Sequence, residues 1–133
     1  MSEYLDRAKE LRNDPTTHYN CAQSVLIPFA EEAGMSFEEA NALAANFGSG
    51  MKCGGTCGAI TGGLMALGLL GVTDGNAIAA YWRSFKQNHD DMTDCRDLLR
   101  VNSMKGNPQK SHCDGMVYEA IAAVESVMKD GKA

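Results

Sequence analysis

The chain has 133 residues, 44% hydrophobic and 22% charged, with a formal net charge of −5 from 12 basic and 17 acidic side chains. A chain of this length folds as one domain that buries roughly two-thirds of its unfolded surface, so it needs no disulfide to fold. The acidic balance and the lack of a Lys/Arg cluster exclude nucleic acid and an anionic membrane surface as expected partners. The mixed, charged start Met1-Ser2-Glu3-Tyr4-Leu5-Asp6-Arg7 lacks the basic-then-apolar order of a signal peptide. The longest uncharged run, 53–73, is broken by glycines and reads as a buried helix rather than a membrane span. The expected location is therefore the reducing cytoplasm, where cysteines are more often catalytic or metal-bound than structural staples.

Almost every segment carries helical periodicity. Residues 2–13 place Leu5, Ala8 and Leu11 on one face, and Asn13-Asp14-Pro15 ends that helix. Asn20 caps a second helix with Ala22, Val25, Leu26, Phe29 and Ala30 periodic and Gly34 as its stop. Pro28 removes the bond to the Ser24 carbonyl and is expected to kink or end this helix. Ser36-Phe37-Glu38-Glu39 is a capping box that opens a third helix carrying Phe37, Ala40, Leu43, Ala44 and Phe47. Five glycines fall within 48–58, the most irregular stretch of the chain.

Helix returns over 59–70, apolar nearly all round, with Gly58, Gly62, Gly63 and Ala66 on a small-residue face. Helix glycines cost about 1 kcal/mol each against alanine, so this face predicts close approach of another backbone or a bound group. The same face, at Gly58, Gly62 and Ala66, could serve a homodimer contact. Asp74 caps a helix with Ala77, Ile78, Tyr81, Trp82 and Phe85 in register, and Asp94-Cys95-Arg96-Asp97-Leu98-Leu99 opens a short one. Residues 102–110 read as a loop. Ser111-His112-Cys113-Asp114 reads as the cap of a last helix with Val117, Ala120, Ile121 and Val124. The sum is an all-α fold: a compact single-domain bundle of five to seven helices over 1–133, with a Gly-rich Cys loop at 48–58.

The cysteines carry the chemistry. Cys21, Cys57, Cys95 and Cys113 each lie just after a capping residue type (Asn20, Thr56, Asp94, Ser111). A helix start offers unpaired N–H groups and partial positive charge, and a thiol there ionises more easily. On that ground Cys57 is expected to be the most activated thiol if its helix begins at Thr56. Cys53 lies four residues earlier and could reach it if the loop bends. Three readings remain open. In the first, Cys57 attacks a disulfide and one of Cys21, Cys53, Cys95 or Cys113 resolves, with a redox partner protein or a small thiol as the other reactant. In the second, Cys21, Cys57, Cys95 and Cys113 hold an iron–sulfur cluster or zinc. Mixed ligation with His18 or His112 is conceivable there, and Lys52 and Arg96 could offset the anionic charge. In the third, the bundle binds a ligand or a protein and its cysteines are incidental, because free cysteine often packs as a small apolar group. A P-loop and a dinucleotide fingerprint are absent.

Asn20-Cys21-Ala22-Gln23, Gly55-Thr56-Cys57-Gly58-Ala59-Ile60-Thr61-Gly62, Asp94-Cys95-Arg96-Asp97-Leu98-Leu99 and Cys113 together resemble the redox-active protein family written C_GCAxxG_C_C. The resemblance covers roughly residues 18–128. Thr56 and Gly58 stand where the family name has Gly and Ala, Gly62 comes one position later than its last glycine, and Cys53 lies outside the pattern. The resemblance implies a small redox role, that of an oxidoreductase or electron carrier, with Cys21, Cys57, Cys95 and Cys113 as the redox or ligand set. It also implies kinship with the part of split-Soret cytochromes in which cysteines hold an iron–sulfur centre. Gly55, Gly58 and Gly62 are the positions where a cofactor would come close to the backbone.

Overall fold

The computed structural model describes residues 2–131. Seven α-helices follow one another: α1 (Glu3–Arg12), α2 (Cys21–Glu32), α3 (Phe37–Leu43), α4 (Gly58–Leu69), α5 (Gly75–Asn88), α6 (Cys95–Met104) and α7 (Gln109–Gly131). Among the described residues there is no strand, only an isolated antiparallel bridge between Thr56 and Asp94. The all-α expectation holds. Among the described residues no helix is long and apolar enough to cross a membrane.

Asn20, Ser36 and Asp74 cap their helices as the sequence expects, whereas Asp94 at the start of α6 makes no side-chain cap bond. Ser2 Oγ accepts the Leu5 N–H at 3.0 Å, Ser36 and Glu39 form the expected box, and Asp74 accepts the Ala77 N–H at 3.1 Å. Gly34, at φ +93°, ends α2 in the left-handed conformation, and the Met35 N–H returns to the Ala30 carbonyl at 2.9 Å.

Four expectations need correction. Pro28 neither kinks α2 to an end nor stops it. The helix runs on to Glu32 because Ala22 through Ala30 are all buried, and that burial offsets one lost backbone bond. The third helix is shorter than its apolar pattern and stops at Leu43, so Phe47 packs from a turn. The 102–110 loop shrinks, because α6 reaches Met104 and α7 starts at Gln109. Pro108 opens α7 a turn early, its carbonyl accepting the His112 N–H at 3.3 Å, so Ser111 lies inside the helix instead of capping it.

Helix α2 is the centre of the bundle, and α4 lies against it at backbone contact distance. A Cβ on Gly62 would stand 2.7 Å from the Ala22 carbonyl oxygen and 3.0 Å from its Cα. One on Gly58 would stand 2.7 Å from the Phe47 carbonyl oxygen and 3.3 Å from the Ala22 nitrogen. The small-residue face is thus filled from within the chain by α2. It is not left open for a second copy or a cofactor. Gly63 makes room for Tyr81 instead: a Cβ there would lie 1.9 Å from the phenol oxygen, which donates to the Ile60 carbonyl at 2.8 Å. Phe85, one turn further along α5, packs edge-on against Tyr81 with centroids 5.1 Å apart, and the full burial of both rings fixes α5 to the core. At the other end Ser2 hydrogen-bonds Glu125 and ties α1 to α7.

Two α4 glycines therefore differ in what they do. Gly62→Ala is expected to lower stability by about 2 kcal/mol through overpacking against Ala22. Gly68→Ala, with nothing within 4 Å of its Cβ, should raise it by up to about 1 kcal/mol through helix propensity. Urea melts of both variants check this; a Gly62→Ala melt like that of the unaltered chain would show that α2 and α4 can separate without cost.

Candidate thiol site

The motif Asn20-Cys21-Ala22-Gln23 is a clamp as well as a helix start. Asn20 Oδ1 accepts the Gln23 N–H at 2.8 Å, and Gln23 Oε1 accepts the Asn20 N–H at 2.9 Å. The remaining donors reach across: Asn20 Nδ2 to the Ala44 and Ala45 carbonyls at 3.2 and 3.1 Å, and Gln23 Nε2 to the Asn41 carbonyl at 2.9 Å. The first turn of α2, and Cys21 with it, is bolted to the C-terminal end of α3.

Cys57 and Cys95 are set by a different device. The chain before α4 and the chain before α6 run antiparallel for three residues. The Cys57 N–H donates to the Thr93 carbonyl at 2.8 Å, and the Cys95 N–H donates to the Gly55 carbonyl at 2.6 Å. Gly55 is thereby spent on positioning Cys95, its own N–H donating to the Gly50 carbonyl at 2.9 Å. Cys57 is the N-cap of α4, so the helix starts at Gly58, two residues later than Thr56.

Three of the four pattern cysteines stand at helix starts: Cys21 first in α2, Cys57 capping α4, Cys95 first in α6. Cys113 is the exception, five residues into α7 for the reason given above. The segments that carry the four nonetheless lie close together. Cys21 and Cys113 line one cavity, a Cβ on Gly58 beside Cys57 would stand 3.4 Å from Cys21 Cβ, and Cys57 and Cys95 flank the Thr56–Asp94 bridge. Charge on Cys57 or Cys113 is felt at Cys21, charge on Cys95 or Cys113 at Cys57, and charge on Cys113 at Cys95. Cys53 stays outside this group. It is exposed on a left-handed turn formed by Ser49, Gly50, Met51 and Lys52, its thiol donating to the Gly50 carbonyl at 3.4 Å.

The sulfurs differ in character. Cys57 is 5% exposed, and burial pushes its thiol up to about 11 even though the Ala59 and Ile60 N–H groups face it and pull the other way. The expectation that Cys57 is the most activated thiol therefore fails, because desolvation outweighs the helix start. Burial, then the charge of Cys113, also raises Cys95. Cys113 goes the opposite way. The neighbouring Cys21 thiol, then the Arg12 guanidinium, outweigh burial and bring it down to about 7. Cys21 is raised, first by its closeness to Cys113 and then by burial. Cys113 is thus the more acidic member of the pair.

Sequence reasoning missed Arg12. It sits on the buried face of α1 with Ala8, four residues on, and its side chain is 4% exposed. Nε donates to Asp114 Oδ1 at 2.7 Å and Nη1 to the Tyr19 carbonyl at 2.8 Å. Lys110 Nζ holds the other Asp114 oxygen at 2.8 Å. Burial pushes the Asp114 carboxyl up, but these two cations outweigh it and hold it below the usual range. An arginine on an apolar stripe was the available signal, since such a charge has to be paired. Lys52 and Arg96, the expected counter-charges, are placed elsewhere: Lys52 bonds Asn46 at 2.8 Å, and Arg96 packs against Gly54.

Cys21 and Cys113 open into a cavity of about 270 Å³ lined also by Arg12, His18, Asn20 and Lys110. His112 faces a different cavity shared with His89, whose Nε2 lies 2.8 Å from Glu119 Oε1. Among the described residues no group of three Cys, His, Asp or Glu side chains has the spacing to hold a metal ion. A single zinc bound at ~2.3 Å by four thiolates needs every sulfur close to every other. Here Cys21 and Cys113 share a cavity and the others interact at longer range, so no single-ion cage is preformed.

This is an all-helical protein in which distant segments bring Cys21 and Cys113 to one cavity and one backbone bridge holds Cys57 and Cys95. The chain matches the family described as "Putative redox-active protein (C_GCAxxG_C_C)" over residues 19–127, and it belongs to that family. No curated protein and no solved structure matches it.

Reaction with iodoacetamide reads the pair directly. Cys113 should alkylate with a rate that rises through about pH 7, because the thiolate exists above its lowered pKa. Cys21→Ala removes the neighbouring thiol and should move that midpoint up by roughly one pH unit, which is ~1.4 kcal/mol. A midpoint that stays put would mean that the two sulfurs do not interact.

Proposed function

We propose that this protein carries out thiol–disulfide exchange, with Cys113 as nucleophile and Cys21 as resolving thiol. The observation that carries this reading is that Cys21 and Cys113 line one cavity together, beside the buried guanidinium of Arg12. The Cys113 thiolate attacks one sulfur of a disulfide RS–SR′. A Cys113–SR bond forms, the RS–SR′ bond breaks, and R′S⁻ leaves with the bonding pair. Cys21 then attacks the Cys113 sulfur. The Cys21–Cys113 disulfide forms, and RS⁻ leaves and takes up the proton that Cys21 releases. The substrate disulfide is reduced by two electrons and the protein dithiol is oxidised by two. A thiol pool of the reducing cytoplasm, acting through the reverse steps, would restore the dithiol.

In this reading Cys57 and Cys95 are not the attacking pair. Their raised pKa values leave them protonated near neutral pH, and their place beside Cys113 suits them to accept the disulfide by a further exchange. The meeting of Cys21 and Cys113 from distant segments at one cavity favours this over incidental cysteines. An iron–sulfur or zinc role for Cys21, Cys57, Cys95 and Cys113 would require these side chains to rearrange from the spacing described above.

Protein purified anaerobically and treated with hydroxyethyl disulfide should lose two of its five free thiols, with peptide mapping placing the bridge at Cys21–Cys113. Cys113→Ser should slow that loss by about 100-fold or more, and Cys53→Ser should leave it unchanged. A bridge elsewhere, or stoichiometric iron released by Cys57→Ser, would overturn the assignment.

A further inference from the structure

We infer that the cavity beside Cys21 and Cys113 binds a small, carboxylate-bearing thiol or disulfide, with Arg12 and Lys110 holding the carboxylate. The inference rests on the thiol-exchange reading and names its substrate class.

The cavity's size and lining carry it. At about 270 Å³ it falls just below the ~300 Å³ at which pockets for drug-sized ligands begin, so it suits a small molecule. Although the chain is acidic overall, no Asp or Glu lines this cavity. Its charged lining is cationic, Arg12 and Lys110, with neutral Asn20 and Gln109 beside them. Arg12 is 9% exposed overall and still has capacity. A guanidinium has five N–H donors; Nε and Nη1 commit one each, and among the described residues Nη2 makes no hydrogen bond. A planar donor edge beside a reactive sulfur matches a carboxylate on the same small molecule.

The charge count fits one carboxylate at one stage of the reaction. Arg12 and Lys110 share a single anion, Asp114, which leaves one positive charge. Before reaction the Cys113 thiolate takes up that charge. Once Cys113 has formed the mixed disulfide its negative charge has left with R′S⁻, and the net positive charge is free for the bound arm. Selectivity therefore appears in the stability of the mixed disulfide.

Cys21→Ser, combined with Cys53→Ser, Cys57→Ala and Cys95→Ala so that Cys113 is the one remaining thiol, halts exchange at that stage. The full-length variant is equilibrated with the disulfides of 3-mercaptopropionate, mercaptoethanol and cysteamine, and the Cys113 adduct is quantified by intact mass. Each equilibrium constant is divided by that of N-acetylcysteine amide with the same reagent, which removes the intrinsic thiol differences. The mercaptopropionate adduct should be favoured about tenfold over the neutral one, and cysteamine disfavoured. Lys110→Gln, an exposed change that leaves the core untouched, should remove much of that preference, as should about 0.5 M salt. Equal normalised constants would overturn the anion-binding inference and leave the exchange reading standing. No adduct at Cys113 with any of the three would overturn both.

Discussion

The missing side chains of Gly58 and Gly62 are the constraint on which the rest of this structure depends. They let α4 lie against the backbone of α2 at Ala22, with atoms closer than any Cβ permits. Two helix starts then meet, one carrying Cys21 and the other Cys57. Each glycine costs helix propensity, and the buried faces of α2 and α4 return more than that cost as apolar contact. Any larger residue would separate the helices and the sulfurs they carry.

Around that contact the chain uses polar groups as positioning devices. Asn20 and Gln23 satisfy the orphan N–H groups of α2 and also grip the end of α3. The short Thr56–Asp94 bridge holds Cys57 and Cys95 by their own amides, leaving both thiols unencumbered. Arg12 links α1 to α7 through Asp114 and places a fixed positive charge near Cys21 and Cys113. Local backbone bonding, not disulfides, therefore assembles the site, and the sulfurs are left for chemistry.

Burial sorts the thiols. A helix start favours a thiolate, but that favour is modest beside the cost of placing charge in an apolar interior. Cys57 has the better helix position and the worse solvation, and solvation decides. Cys113 has the poorer helix position, yet it has a neighbouring thiol, a guanidinium and an open cavity, so it becomes the acidic member. Four residues of one type thus acquire different roles from their surroundings.

The sequence by itself determined what is local. Capping residues, apolar periodicity and the small-residue face of α4 are written in short stretches, and they specify the helices, the starts of α2, α3 and α5, and the close helix pair. The family membership follows from the spread of Cys21, Cys57, Cys95 and Cys113. What remained illegible depends on groups far apart in the chain. Pro28 persists inside α2 because burial along the whole helix outweighs one local penalty. Arg12 meets Asp114 across 102 positions, and Cys21 pairs with Cys113 rather than with the nearer Cys57. Only tertiary structure decides such matters, because the free energy of a charge or a thiol is set by what packs around it, and those neighbours are not its neighbours in sequence.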